Sequence, residues 1–198
     1  MRLIRTLTSR RLIILTCLIA LVPWGSVHAS DWDWTYEGMA DEGKFVFGVR
    51  TGPSYMTQST GTSTAGPTLN FHGMGAINKW FRMGMIVEWE HHGFDQPRNG
   101  SFNTVSWLPA VLEFRPGHFG TIIPYVSAGI GLNFNDSNVS DGLAWRTAGG
   151  IDYALTNWFP NAPPGLMLNT EAAWKRNRVD GADFSTLNWL FGIRFAFQ

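Results

Sequence analysis

The sequence predicts an all-β fold, a closed antiparallel barrel of eight strands. Three observations carry that prediction. The chain closes on "LNWLFGIRFAFQ", where Leu187, Trp189, Phe191, Ile193, Phe195 and Phe197 alternate with Asn188, Leu190, Gly192, Arg194 and Ala196. Successive strand side chains point to opposite faces, so this stretch is a strand with one greasy face and one mostly small or polar face. Runs of the same kind recur eight times along the chain, each followed by turn chemistry, and no stretch carries a sustained helical period. Nearly every charge inside these runs falls on the non-greasy face.

The first 29 residues read as an export signal rather than as part of the fold. Arg2, Arg5, Arg10 and Arg11 precede an apolar run from Leu12 to Val22, a Pro-Trp-Gly break and Val27-His28-Ala29. A basic region, a short apolar region and an A-x-A-like site make a signal peptide, with cleavage expected after Ala29. The run is too short to cross ~30 Å of hydrocarbon as a helix. Of the 15 Lys and Arg, four leave with the signal, so 11 face 15 Asp and Glu and the mature chain carries −4. The single cysteine, Cys17, leaves too, which excludes disulfides and cysteine chemistry. A mildly acidic chain is also a poor partner for nucleic acid. Residues 30–43, acidic and aromatic without a period, read as a periplasmic lead-in to a barrel domain over 44–198.

The strands follow in order. Run 44–54 sets Phe45, Phe47 and Val49 against Gly48 and Arg50. Run 68–78 puts Asn70 and His72 on the inner parity, with His72 expected as a hydrogen-bonded interior group. Run 81–91 opposes Met83, Met85, Val87 and Trp89 to Arg82, Gly84, Glu88 and Glu90. Run 102–115 is read with Leu108, Ala110, Leu112 and Phe114 against Glu113 and Arg115. Run 121–134 opposes Val126, Ala128, Ile130, Leu132 and Phe134 to Tyr125, Ser127, Gly129, Gly131 and Asn133. Run 143–155 opposes Trp145, Thr147, Ile151, Tyr153 and Leu155 to Arg146, Ala148, Gly150 and Asp152. Run 166–176 opposes Leu168, Thr170, Ala172 and Trp174 to Asn169, Glu171, Ala173 and Lys175, and run 185–197 closes the chain.

The connections alternate in character. "TQSTGTSTAGP", "HGFDQPRNG", "NDSNVSDG" and "NRVDGAD" are polar and rich in Gly, Asn, Asp and Ser. "NKW" and "RPGHFG" are tight, and "TNWFPNAPPG" is longer and stiffened by Pro160, Pro163 and Pro164. Long loops at one end and shorter turns at the other are the pattern of a bacterial outer-membrane barrel.

The inner face is expected to carry a charge network. Its basic members are Arg50, Arg82, Arg115, Arg146, Lys175 and Arg194, and its acidic members Glu88, Glu90, Glu113, Asp152 and Glu171. A soluble sandwich or lipocalin also alternates, but its polar face is usually rich in solvated charge. Here Gly, Ala, Ser and Asn dominate that face, as suits a narrow interior in which opposite charges neutralise one another. The greasy face then meets lipid. Lipid admits only sheets whose backbone bonds are all internal, so the sheet must close. Trp80, Phe81, Trp89, Trp107, Phe114, Phe134, Trp145, Tyr153, Trp158, Trp174 and Trp189 are candidates for its interfacial girdles.

On "PYVSAGIGLNFN" (124–135), "GLAWRTAGGIDYALTNWF" (142–159) and the closing stretch, residues 44–198 resemble the small outer-membrane β-barrel family of OmpA/OmpX-type and opacity-type proteins. The resemblance implies an outer-membrane location in a Gram-negative-type cell. It also implies an assembly signal in the last strand, here Trp189, Phe191, Ile193, Phe195 and Phe197. Family members usually end on an aromatic residue, and Gln198 follows Phe197 here. The expected partners are outer-membrane lipid and lipopolysaccharide, the barrel-assembly machinery, and an extracellular ligand at the loops.

The most reactive-looking stretch is "EWEHHGFDQPRNGS" (88–101). The alternative reading is a lipid hydrolase, resembling lipid A deacylases, with His91 or His92 as base, Ser101 as nucleophile and Asp95 as acid. A base must reach its nucleophile, and His91 shares the lipid-facing parity of Trp89 while His92 is read as opening the loop. The deacylase His-x-Ser-Asn motif is absent. His91, His92 and Asp95 are poorly spaced for a metal, because adjacent strand histidines point apart. "GVRTGPS" and "GMGAI" lack the following helix of a phosphate-binding loop. No cofactor is expected, a filled interior argues against a pore, and the expected role is structural or surface-interacting without catalysis.

Overall fold

The computed structural model describes residues 45–57, 63–94, 100–117, 121–136, 141–155, 159–163, 165–179 and 184–197. The expected signal peptide and lead-in, and Asp95, Trp158 and Gln198, lie outside them. Eight long strands are described: β1 (Phe45–Met56), β2 (Gly66–Ala76), β3 (Phe81–Phe94), β4 (Gly100–Phe114), β5 (Ile122–Asn135), β6 (Gly142–Ala154), β7 (Leu166–Val179) and β8 (Phe184–Phe197). Each pairs antiparallel with its chain neighbours, and Ser63–Thr64 adds a short pairing to Phe94 and Gly93 of β3. β1 also pairs with β8, from Phe45 opposite Phe197 to Met56 opposite Thr186, so the sheet closes on itself. The fold is a closed antiparallel eight-stranded barrel, and closure leaves no strand edge to be satisfied elsewhere.

Local chemistry makes the turns. Asn78 Oδ1 accepts the backbone N–H groups of Trp80 (2.8 Å) and Phe81 (2.9 Å), which folds β2 back onto β3. Before β7, Gly165 has φ of +87° and its carbonyl accepts the Ala196 N–H at 2.9 Å. A side chain there would be strained and would strike the Ala196 carbonyl.

The strands outrun the apolar runs at the loop end. β3 continues through His92 to Phe94, so His92 belongs to the strand interior and does not open a loop. At the other end β2 stops at Ala76, and residues 77–80 form the turn. The fourth strand corrects a second expectation. Leu108 is fully buried inside the barrel, not on the outer face with Ala110, Leu112 and Phe114. From Gly84 to Ile86 β3 advances two positions while β4 moves three, between Val111 and Leu108; β5 sees the same extra residue between Leu132 and Ile130. This is a β-bulge at Pro109–Ala110, both outward, and it resets the parity of β4. Proline, with no N–H to give a ladder, is suited to a bulge.

Where β8 meets β1, Gly192 pairs with Arg50, and a Cβ at Gly192 would lie 2.0 Å from the Val49 carbonyl oxygen. Gly192→Ala is therefore expected to destabilise the barrel by about 1–3 kcal/mol through overpacking at this seam. Urea unfolding of the refolded variant, followed by gel mobility, checks the figure.

Candidate functional site: an ion-paired lumen

Alternation turns the polar parity of all eight strands into a common interior, and the side chains there fill it. Arg50, Glu88, Glu90, Arg146, Glu171 and Lys175 are nearly or wholly buried. They form a run of alternating charge. Arg50 Nη1 pairs with Glu171 Oε2, and Arg146 Nη2 donates to Glu171 Oε1. Arg146 Nε lies 3.5 Å from Glu88 Oε2, Lys175 Nζ lies 3.2 Å from Glu88 Oε1, and Lys175 Nζ donates to Glu90 Oε2. Neutral donors complete the carboxylates: Asn70 Nδ2 to Glu88 (2.7 Å), Tyr125 OH to Glu171 (2.8 Å) and Asn188 Nδ2 to Glu90 (2.5 Å). Three cations against three anions leave this run without net charge, the condition under which buried ions are tolerated.

A second group closes into a ring toward the turn end. Arg115 Nε donates to Glu113 (2.6 Å) and its Nη2 to Asp152 (2.5 Å), while Arg194 donates to Asp152 (2.9 Å) and Glu113 (2.7 Å). Arg82 is buried and pairs with Glu113 in register. The guanidinium groups of Arg194 and Arg115 lie 5.0 and 5.8 Å from the Tyr125 ring centre. Tyr125 accepts from Asn169 at 2.9 Å as it donates to Glu171, so it joins ring and run. His72 is buried, but neither ring nitrogen finds a hydrogen-bond partner among the described residues, against expectation. Its cross-strand neighbours, Gly48 and Ile86, have no side-chain group to offer one.

Apolar layers flank the charges. Val46, Met74, Ile86, Leu108, Val111, Ile123 and Met167 pack together inside the barrel. At the loop end Phe102 and Phe184 meet edge to face at 5.7 Å, with the His92 ring 5.0 Å from Phe102 and Met56 against them. His92 Nε2 lies 3.4 Å from Glu90 Oε2 below this aromatic cap.

Of the residues of the alternative reading, His92 and Ser101 do not converge. Ser101 is exposed on the outer face, opposite Gly93, whereas His92 is enclosed opposite Phe102. The barrel wall stands between them. His91 shares the outer face, and its Nδ1 lies 3.0 Å from Asn103 Oδ1. His91 and His92 point apart, and among the described residues no three His, Cys, Asp or Glu side chains gather to hold a metal. At this rim the Asp136 carboxylate accepts the Asn103 backbone N–H (2.7 Å) and its side-chain amide. Those bonds hold Asp136 below the usual carboxylate range.

The outer face is apolar and exposed, with Phe45, Phe47, Met83, Val126, Trp145 and Ile193 among its bared side chains. Aromatics gather near both strand ends. Phe81 lies 5.2 Å from Phe114, and Phe47 stacks on Phe197 at 5.4 Å, at the turn end. Trp89, Phe134, Trp145 and Trp174 are exposed toward the loop end, and Trp107 is exposed at mid-strand. On β3 Phe81 and Trp89 are ~26 Å apart along the strand at ~3.3 Å per residue. Two residues escaped the sequence reading. β7 runs three positions past its apolar segment and presents Arg176 and Arg178 outward; carrying the Trp174 parity onward finds both.

Solved structures share this architecture. Neisserial surface protein A is similar at a TM-score of 0.62 and 16% identity, over 79% of this chain and 100% of that one. The outer membrane protein OprG from Pseudomonas aeruginosa is similar at 0.52 and 12%, over 79% of this chain and 96% of that one. No protein-family model and no curated protein matches the chain. The fold is that of the small outer-membrane β-barrels.

Proposed function

We propose that the chain is a closed, non-conducting barrel of a Gram-negative outer membrane, with a structural or surface-interaction role and no catalysis. The observation that carries this reading is the pairing of an exposed apolar outer face with a lumen occupied by linked ion pairs. An exposed apolar belt of this extent needs a lipid surround. A lumen closed by salt bridges and an aromatic cap gives solutes no path. Residues 1–29 direct export and are removed, and both ends of the barrel domain face the periplasm. The four connections at the other end, 57–65, 95–99, 136–141 and 180–183, then face outward, where an extracellular ligand binds. The closing strand, with Trp189, Phe191, Ile193, Phe195 and Phe197 on its outer face, is the segment that the assembly machinery reads.

Planar-bilayer recording of the folded barrel tests the reading. The expected result is a heat-dependent shift in gel mobility without stable single-channel steps, and lipopolysaccharide that keeps all its acyl chains on incubation. Steady openings would contradict the sealed lumen. Acyl release abolished by Ser101→Ala or His91→Ala would make the chain a lipid hydrolase.

A further inference from the structure

The outer face of the eight strands is almost free of charge. Among the described strand residues with outward side chains, Arg176 and Arg178 are the only Asp, Glu, Lys or Arg. Both are exposed, and both follow Trp174 on one parity of β7. Arg176 stands opposite the exposed Trp145 on β6 and opposite Ser185 on β8, and Arg178 stands opposite Leu143. On β7 the pair therefore follows Trp174 toward the loop end, with Arg176 level in the ladder with Trp145 and Arg178 level with Leu143. No equivalent pair occurs among the described outward strand residues at the turn end. There Lys79 is in the β2–β3 turn, with its ammonium 5.3 Å from the Trp80 ring centre.

We propose that Arg176 and Arg178 form a binding site for the phosphate groups of an outer-leaflet glycolipid headgroup. This rests on the membrane orientation proposed above, which sets the loop-end aromatics in the outer leaflet. A tryptophan row marks the boundary between hydrocarbon and headgroups. An arginine in the hydrocarbon is costly, but one at the interface is nearly free, so this position is tolerated only at headgroup depth. Guanidinium groups bind phosphate through two parallel N–H donors, which a lysine does not reproduce. Neighbours along one strand face are ~7 Å apart. That spacing, on long flexible side chains, suits the clasping of one phosphorylated sugar. The flanking Trp145, Trp174 and Leu143 offer apolar surface to its acyl chains.

The test uses the full chain, expressed in a Gram-negative host and purified from outer membranes. Native mass spectrometry then reads retention of diphosphoryl lipid A, its dephosphorylated form and phosphatidylglycerol. The wild type is expected to retain diphosphoryl lipid A selectively. Arg176→Gln with Arg178→Gln is expected to weaken retention about tenfold to thirtyfold, since each arginine contributes about a factor of five near an anionic lipid surface. Arg176→Lys with Arg178→Lys is expected to fall between. Both variants change exposed side chains, and the heat-dependent mobility shift verifies their folding. Equal retention by wild type and glutamine variant would overturn the site. So would equal retention of the dephosphorylated form or of phosphatidylglycerol, or displacement by inorganic phosphate. A wild-type chain with no mobility shift would instead overturn the barrel reading, and this site with it.

Discussion

Deleting Ala128 from β5 is expected to abolish folding, whereas deleting Pro109 from β4 leaves a foldable barrel. β5 pairs with β6 without interruption from Ile122 to Asn133, and its side chains alternate throughout. Removing Ala128 turns every residue on one side of the gap to the opposite face. Ile130, Leu132 and Phe134 would enter the lumen, and Asn133 would leave Ser106 and Asn177 for lipid. Pro109 is different because it is part of a bulge. Without it, inward Leu108, outward Ala110 and inward Val111 would alternate regularly, and both ladders of β4 could run unbroken. The expected yield of heat-shifted barrel is near zero for the first deletion. For the second the loss is at most about 2 kcal/mol, within the ordinary range for single changes. Refolding yield on a cold gel separates the two outcomes.

Lys175→Met is expected to destabilise the barrel by about 3–5 kcal/mol. Lys175 is wholly buried; its ammonium serves Glu90, lies 3.2 Å from Glu88 and donates to Ser106 Oγ at 2.7 Å. Methionine fills similar volume but leaves two carboxylates with one fewer cation in a medium that cannot solvate them. Glu90→Gln alone should cost less, because Glu88 still neutralises Lys175. Combining it with Lys175→Met should recover most of the loss, since Glu88 keeps Arg146 and a glutamine can keep the bond from Asn188. The coupling in that double-mutant cycle, read by urea unfolding in vesicles, separates charge imbalance from lost packing.

Alternation made much of this architecture legible. Met83 to Glu90 and Trp145 to Asp152 are uninterrupted strands, so their greasy and charged residues sort by odd and even position alone. Leu108 did not sort, because a bulge adds one residue without disturbing the apolar content that marks a strand. That His92 and Arg178 belong to strands was missed for another reason. Beyond the lipid boundary a strand has no greasy face, so the apolar pattern ends before the hydrogen-bonded ladder does. The pairing of Glu171 with both Arg50 and Arg146 was also beyond a sequence reading. Partners across a lumen are set by strand register and tilt, and neither leaves a trace in parity.

The central claim is that one parity of each strand meets lipid and the other a filled interior. The mature chain is expected to carry no cysteine, so single cysteines along β3 can each bear a nitroxide. The account predicts oxygen accessibility without aqueous-reagent accessibility at Met83, Met85 and Val87, and accessibility to neither at Gly84, Ile86 and Glu88. Ready access of the aqueous reagent to positions 83, 85 and 87, or to positions 84, 86 and 88, would contradict it.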